Sequence, residues 1–238
     1  MTEEAVQPKT WKDVVRQFIP RFLLQQRGII RRLGPGAGRI YAGLRFRDVM
    51  GIRGENQRQV PASARSFVFV CFGNIMRSAM AEYLIRKKLS QNVPAVAQSV
   101  RIVSAGLHAN PGREAHPWMQ EAAIGLGISL ASHRAKLLTR EMVDQADAVF
   151  AMDFQNKAEL LTLYPDAAGK IYMLSAYAEG PWKDREIPDP YLADLEGTRY
   201  CAGQLEICVH NLLAATVLSA AGKEGTAATS YEEPLART

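Results

Sequence analysis

The apolar run Phe67-Val68-Phe69-Val70 ends at Cys71, and a helical pattern begins at Ser78. A buried strand that turns into a helix through so short a loop is one half of a βαβ unit. The alternation continues along the chain. Arg101–Ser104, Ala148–Met152 and Ile171–Leu174 read as further short apolar strands, and Ser78–Leu89, Pro117–Leu126, Phe154–Leu163 and Thr198–Ala220 as helices. The expected fold is α/β, a parallel four-stranded sheet with helices on both faces. In such sheets ligands bind at the carboxyl ends of the strands, where the loop after Val70 lies.

That loop carries Cys71-Phe72-Gly73-Asn74-Ile75-Met76-Arg77-Ser78. Backbone N–H groups turned inward and opening onto a helix N-terminus form a nest for a dianion. Gly73 and Asn74 suit its tight turn, since both tolerate positive φ. Arg77 can grip two phosphate oxygens as a planar fork. The positive field of the nest favours the thiolate of Cys71, and Ser78 can donate to that thiolate and cap the helix. By itself a Cys-x5-Arg string fits an ordinary buried thiol equally well. The strand–loop–helix setting is what points to a phosphate-binding nucleophile.

A thiolate that attacks a phosphate ester needs a proton donor for the leaving oxygen. Asp189, held between Pro188 and Pro190 ahead of the last helix, is the candidate. The prolines keep it in an extended, stiff segment. Taken alone, such an Asp is more often a turn residue.

The Cys-x-Gly-Asn-x-x-Arg-Ser loop and Asp189-Pro190-Tyr191 together resemble the signature of the low-molecular-weight protein tyrosine phosphatases, bacterial type. Ser104-Ala105-Gly106, Ser132-His133-Arg134-Ala135 and Ala151-Met152-Asp153 resemble family landmarks in the expected order. The resemblance covers about residues 66–220. It implies a flavodoxin-like sheet and hydrolysis of phosphotyrosine through a phosphocysteine on Cys71, with Arg77 and Asp189 catalytic and no metal or cofactor. It also implies that Asn74, Ser104 and His133 hold the loop by hydrogen bonds, and that Phe72 and Tyr191 wall the cleft. Aromatic walls favour a long aryl phosphate over phosphoserine. Phosphoarginine phosphatases of the family tend to have Thr where this chain has Ile75. The loop Leu107–Arg113 resembles bacterial members, which implies a phosphotyrosine protein partner, by analogy a bacterial tyrosine kinase. Met76 stands where the family usually has a second cysteine.

Two other readings compete. Arsenate would fit the same loop, but thioredoxin-coupled reductases need resolving cysteines after the third strand, and none lies around Met152–Lys157. Cys201 and Cys208 are two helical turns apart, about 10 Å, too far to bridge. A reductase drawing on an external thiol stays open. A non-catalytic phosphotyrosine-binding module would have lost Cys71, Arg77 or Asp189, and all three are present.

Charge divides the chain. The net charge is +5 over 238 residues, yet residues 1–65 hold thirteen basic and five acidic side chains, so the remainder is net acidic. Residues 1–65 read as a basic amphipathic extension and linker, 66–221 as the phosphatase domain and 222–238 as a disordered tail. The extension has helical apolar spacing at Trp11, Val14, Val15, Phe18, Ile19, Phe22 and Leu23, a break at Pro20 and a second break at Gly34–Gly38. That glycine cluster lacks the flanking strand and Lys-Ser/Thr of a nucleotide loop. Residues 11–50 have three placements to choose from: packed on the domain, on an anionic membrane surface, or on a protein. No nucleic-acid partner is expected, since the basic residues belong to no recognised module. Three cysteines without clustering suggest neither disulfides nor a zinc site, which makes the cytoplasm the default, with the inner membrane face as the peripheral alternative.

Overall fold

The structure, a computed structural model, describes residues 21–52, 59–180, 183 and 185–218. The expectations for Trp11–Ile19, Pro20 and the tail 222–238 lie outside these residues. Four parallel strands form one sheet in the order β2-β1-β3-β4: β1 Ser66–Cys71, β2 Arg101–Gly106, β3 Ala148–Ala151 and β4 Ile171–Met173. Side chains alternate across it, as the strand period of two requires. Phe67, Phe69 and Cys71 face one core together with Phe150 and Met152, and Val68 and Val70 face the other with Val149 and Ala151.

The first core is closed by α2 (Arg77–Asn92), α4 (Pro117–Gly125) and α7 (Leu195–Leu213), through Met80, Leu84, Met119, Leu205 and Val209 among others. By length and composition the α7 segment could cross a membrane, but its apolar face lies in this core. Asp194 caps α7 by accepting from the Gly197 N–H at 2.8 Å, so the helix starts earlier than its apolar pattern. It ends in a single π turn, Ala214–Leu218. Two short helices, α3 (Pro94–Ala97) and α5 (Arg140–Asp144), have too few turns to leave a periodic pattern.

The second core is covered by α6 (Phe154–Leu163) and by the extension itself. Arg21–Val49 forms α1, which packs along α6. Ala37 and Tyr41 are buried in this contact, and Ile29, Ile30, Leu33, Ile40 and Leu44 are packed around them. Apolar area removed from water in this way contributes about 25 cal/mol per Å². The described part of the extension packs on the domain.

The glycine cluster also differs from its reading as a five-residue break. Only Gly34 leaves the helical region, at φ 75°, and Pro35 restarts the helix at once. Gly38 serves close packing, since a Cβ there would meet the Ile30 carbonyl oxygen at 2.7 Å. The end of the linker is docked too: Val60 is buried and its N–H donates to the Tyr177 hydroxyl at 3.1 Å.

Candidate active site

The loop after β1 closes a cleft of about 260 Å³ at the carboxyl end of the sheet. Cys71, Phe72, Gly73, Ile75, Met76, Arg77, Asp189 and Tyr191 line it, joined by His108, Asn110 and Arg113, from the loop Leu107–Arg113 that the sequence marked without placing it in the cleft. Asn74, Ser78, Ser104 and His133 stand behind it, all buried.

Asn74 is the centre of this support. It takes φ 53°, the left-handed conformation that Asn tolerates. Gly73 does not share it, so the expected pair of positive-φ residues is reduced to one. The Asn74 amide donates to Ser78 Oγ at 2.9 Å and Ser104 Oγ at 2.8 Å, and its Oδ1 accepts from the Lys136 N–H at 2.8 Å. Ser104 in turn donates to Glu82. This buried carboxylate has no local motif around it and was invisible in the sequence. His133 Nε2 lies 2.7 Å from the Asn74 carbonyl oxygen, which can only accept, so Nε2 carries the proton. Burial pushes the His133 ring below the usual imidazole value and so favours the neutral ring, while the hydrogen bond to the Asn74 carbonyl pulls the other way.

Cys71 Sγ accepts from the Asn74 N–H at 3.3 Å and lies 3.0 Å from Ser78 Oγ. Ser78 Oγ is also 3.3 Å from the Ala105 carbonyl oxygen, so one hydroxyl proton serves one of these two acceptors at a time. Ser78 does not cap α2. The cap position is Met76, which offers no side-chain acceptor, so the first N–H groups of α2 are left to a ligand. Gly106, at the end of β2, braces the loop from behind. A Cβ there would stand 2.7 Å from the Phe72 carbonyl oxygen and 2.8 Å from the Asn74 nitrogen.

Arg77 is 1% exposed and donates three hydrogen bonds. Nη1 donates to Asp153 Oδ2 at 2.6 Å and to the Ile187 carbonyl at 3.0 Å, and Nη2 donates to Asp189 Oδ2 at 2.7 Å. Burial pulls the guanidinium down, but Asp153, Asp189 and Cys71 outweigh it and push it up, so it stays charged. Removing Asp153, the buried one of these two carboxylates, costs about 3–5 kcal/mol. Asp153 was read only as part of a family landmark. Its second oxygen caps α6 by accepting from the Asn156 N–H at 2.7 Å. Asp189 is extended, at φ −77° and ψ 115°, and its Oδ1 accepts from the Tyr191 N–H at 3.2 Å, which opens a short 3-10 turn ahead of α7.

The walls are aromatic. Phe72 is 53% exposed and stacks on His108 with ring centroids 4.6 Å apart, while His108 Nε2 pairs with Glu159 on α6. Tyr191 faces His116 at 5.7 Å. Cys201 and Cys208 are buried on α7, and burial pushes both thiols up to about 12.

The family model for low molecular weight phosphotyrosine protein phosphatase matches residues 66–223. The low molecular weight protein-tyrosine-phosphatase Etp of Escherichia coli K12 is 32% identical over 141 residues, 59% of this chain and 87% of its own. A protein-arginine-phosphatase of Geobacillus stearothermophilus is 32% identical over 145 residues, 61% of this chain and 91% of its own. The crystal structure of the Erwinia amylovora tyrosine phosphatase AmsI superposes with a TM-score of 0.57 at 27% identity, covering 64% of this chain and 93% of that one. On the matched domain, this chain belongs to the low molecular weight phosphotyrosine protein phosphatase family.

Proposed function

We propose that the chain hydrolyses phosphotyrosine in proteins through a phosphocysteine on Cys71. The observation that carries this is the convergence of three groups on one cleft: the Cys71 sulfur at the base of the nest, the Arg77 fork beside it and the Asp189 carboxyl above. Phosphate enters against the N–H groups of the loop and takes the Nη2 edge of Arg77 in place of Asp189. The freed carboxyl then stands beside the leaving oxygen. The Cys71 thiolate then attacks phosphorus. The bond to the tyrosyl oxygen breaks, Asp189 gives its proton to that oxygen, and phenol leaves. In the second half a water attacks the phosphocysteine and Asp189 takes its proton. The S–P bond breaks, and phosphate and thiolate are regenerated.

Phe72 and Tyr191 support an aryl substrate, since both present exposed ring faces beside the cleft. Phosphoarginine is the second reading, kept because an arginine phosphatase matches at an identity similar to that of Etp. The apolar Ile75 side chain in the cleft lining argues against it. A tyrosine kinase as the protein partner is the finer form of the same proposal.

The test is Cys71→Ser compared with the parent protein on phosphotyrosine, phosphoarginine and phosphoserine peptides, and on arsenate with an added thiol. Turnover of phosphotyrosine by the parent alone, with phosphate still bound by Cys71→Ser, is the expected result. Full turnover by Cys71→Ser ends the mechanism, and preference for phosphoarginine replaces the substrate.

A further inference from the structure

Among the described residues, α1 reaches the segment leading to Asp189 through Arg45. Ala37, Tyr41 and Arg45 stand at i, i+4 and i+8, on one face of α1. The first two are buried against the domain and fix the third. Arg45 Nη1 pairs with Glu186 Oε2 at 2.9 Å, and its guanidinium carbon lies 5.7 Å from the centre of the Phe154 ring. Arg45 also meets Gln26 and Asp48 within α1, so its position is set from both sides.

Glu186 is the node. Its Oε1 accepts from the Phe154 N–H at 2.9 Å, at the start of α6 and next to Asp153, the buried partner of Arg77. The following residue, Ile187, donates its N–H to the Met152 carbonyl at 2.8 Å and offers its own carbonyl to Arg77. Pro188 and Asp189 come next. Glu186 thus pins the chain where it enters the acid segment, and the prolines transmit that position to Asp189 with little freedom. We propose that α1 is a positioning element for the acid: Arg45, acting through Glu186, sets where Asp189 stands over the phosphate site. The proposal rests on Asp189 as the proton donor.

Energetics agree with the geometry. Burial pushes the Glu186 carboxyl up from its ordinary value, and the Phe154 N–H and Arg45 pull it back. Without Arg45, a desolvated carboxylate loses its cation and the entry to the loop loosens. A misplacement of a catalytic group by about 1 Å costs on the order of 10²-fold in rate.

The test compares kcat/KM for phenyl phosphate, whose leaving group needs a proton, with that for 2,4-dinitrophenyl phosphate, whose leaving group does not. It uses the full chain, with Asp189→Asn as reference. Arg45→Met should lower kcat/KM for phenyl phosphate about tenfold and leave the dinitrophenyl ester within about twofold, part of the 10²–10⁴ that a positioned acid supplies. Arg45→Lys should restore most of the loss. Glu186→Gln, which keeps an acceptor for Phe154, should reproduce it, and the double variant Arg45→Met/Glu186→Gln should be no worse than either single change. Equal losses on both esters, or none, overturn the proposal. If Arg45→Met does not fold, Glu186→Gln gives the same readout. An Asp189→Asn enzyme with the parent's dependence on leaving group overturns the acid assignment itself, whatever Arg45 does.

Discussion

Arg77 Nη2 holds Asp189 Oδ2 at 2.7 Å, so the side chain assigned to grip phosphate already grips the side chain assigned to protonate the leaving group. The two functions compete for one edge of one guanidinium. Substrate binding is then also an exchange of anions: phosphate replaces carboxylate, and the released carboxyl is free to carry a proton.

Asp189→Asn should therefore separate binding from chemistry. An amide repels a phosphate dianion less than a carboxylate does and competes less for Arg77. The inhibition constant of inorganic phosphate should fall a few-fold, while kcat/KM on phenyl phosphate drops by about 10²–10³-fold. Competitive inhibition and leaving-group series on the two proteins measure both. Weaker phosphate binding in the variant would mean that Asp189 places Arg77 rather than competing with ligand for it.

Gly106 should tolerate no side chain. The atoms that an added methyl would meet are backbone atoms of the phosphate loop, at 2.7–2.9 Å, and they cannot turn aside. Gly106→Ala should cost about 1–3 kcal/mol of stability as an overpacked site. It should also reduce both vanadate affinity and kcat/KM, by roughly 10²-fold for a displacement near 1 Å. Activity within twofold of the parent would show that the loop yields without loss.

His133 links the loop to pH. Its folded value lies below 6.5 and its unfolded value near 6.5, so between the two the unfolded chain binds the extra proton. Stability should rise with pH through that window and level off above about 6.5. Melting temperatures of the parent and His133→Gln, taken from pH ~7.5 to ~5, isolate the effect. Gln can still donate to the Asn74 carbonyl but does not titrate. The gap between the two proteins should close or reverse on acidification, and a constant gap rejects the linkage. His116, also held low by burial and Arg113, is common to both proteins and cancels.

Much of the cleft was legible because its residues are local. Cys71 to Ser78 form one unbroken loop, and Asp189 is marked by its flanking prolines. Glu82, Asp153 and Gly106 are brought there by three different elements, and nothing in the sequence near each says what it will face. The same limit applies to α1. The helical spacing in the sequence lies at Trp11–Leu23, mostly ahead of α1, and Gly34–Gly38 reads as a break, so the face that Ala37 and Tyr41 bury was not foreseen. The pairing of Arg45 with Glu186, 141 positions later (186 − 45), follows only from how α1 crosses α6. The glycine cluster misled for a related reason: one glycine turns the chain, while Gly38 allows two segments to touch, and composition cannot tell these uses apart.

Met76 sets the response to peroxide. It is buried at the cap of α2 and lines the cleft with Cys71, at the position where a second thiol would be expected to rescue an oxidised nucleophile. Peroxide converts the Cys71 thiolate to a sulfenic acid. A neighbouring thiolate would displace hydroxide from that sulfur and form a disulfide, which dithiothreitol reduces. A thioether cannot do this, so further peroxide carries the sulfur to the sulfinic state, beyond reach of a thiol. The remaining cysteines are poor substitutes. Both are buried on α7, and thiols pushed up to about 12 hold almost no thiolate at neutral pH. The parent should thus lose activity irreversibly under prolonged peroxide, and Met76→Cys should recover a substantial share of it after dithiothreitol. Mass spectrometry of the Cys71 peptide reads the oxidation state directly. The expected products are sulfinic acid in the parent and a Cys71–residue 76 disulfide in the variant. Complete recovery of the parent, with Cys71 returned to the thiol, would show that another group protects the nucleophile and would end this account of Met76.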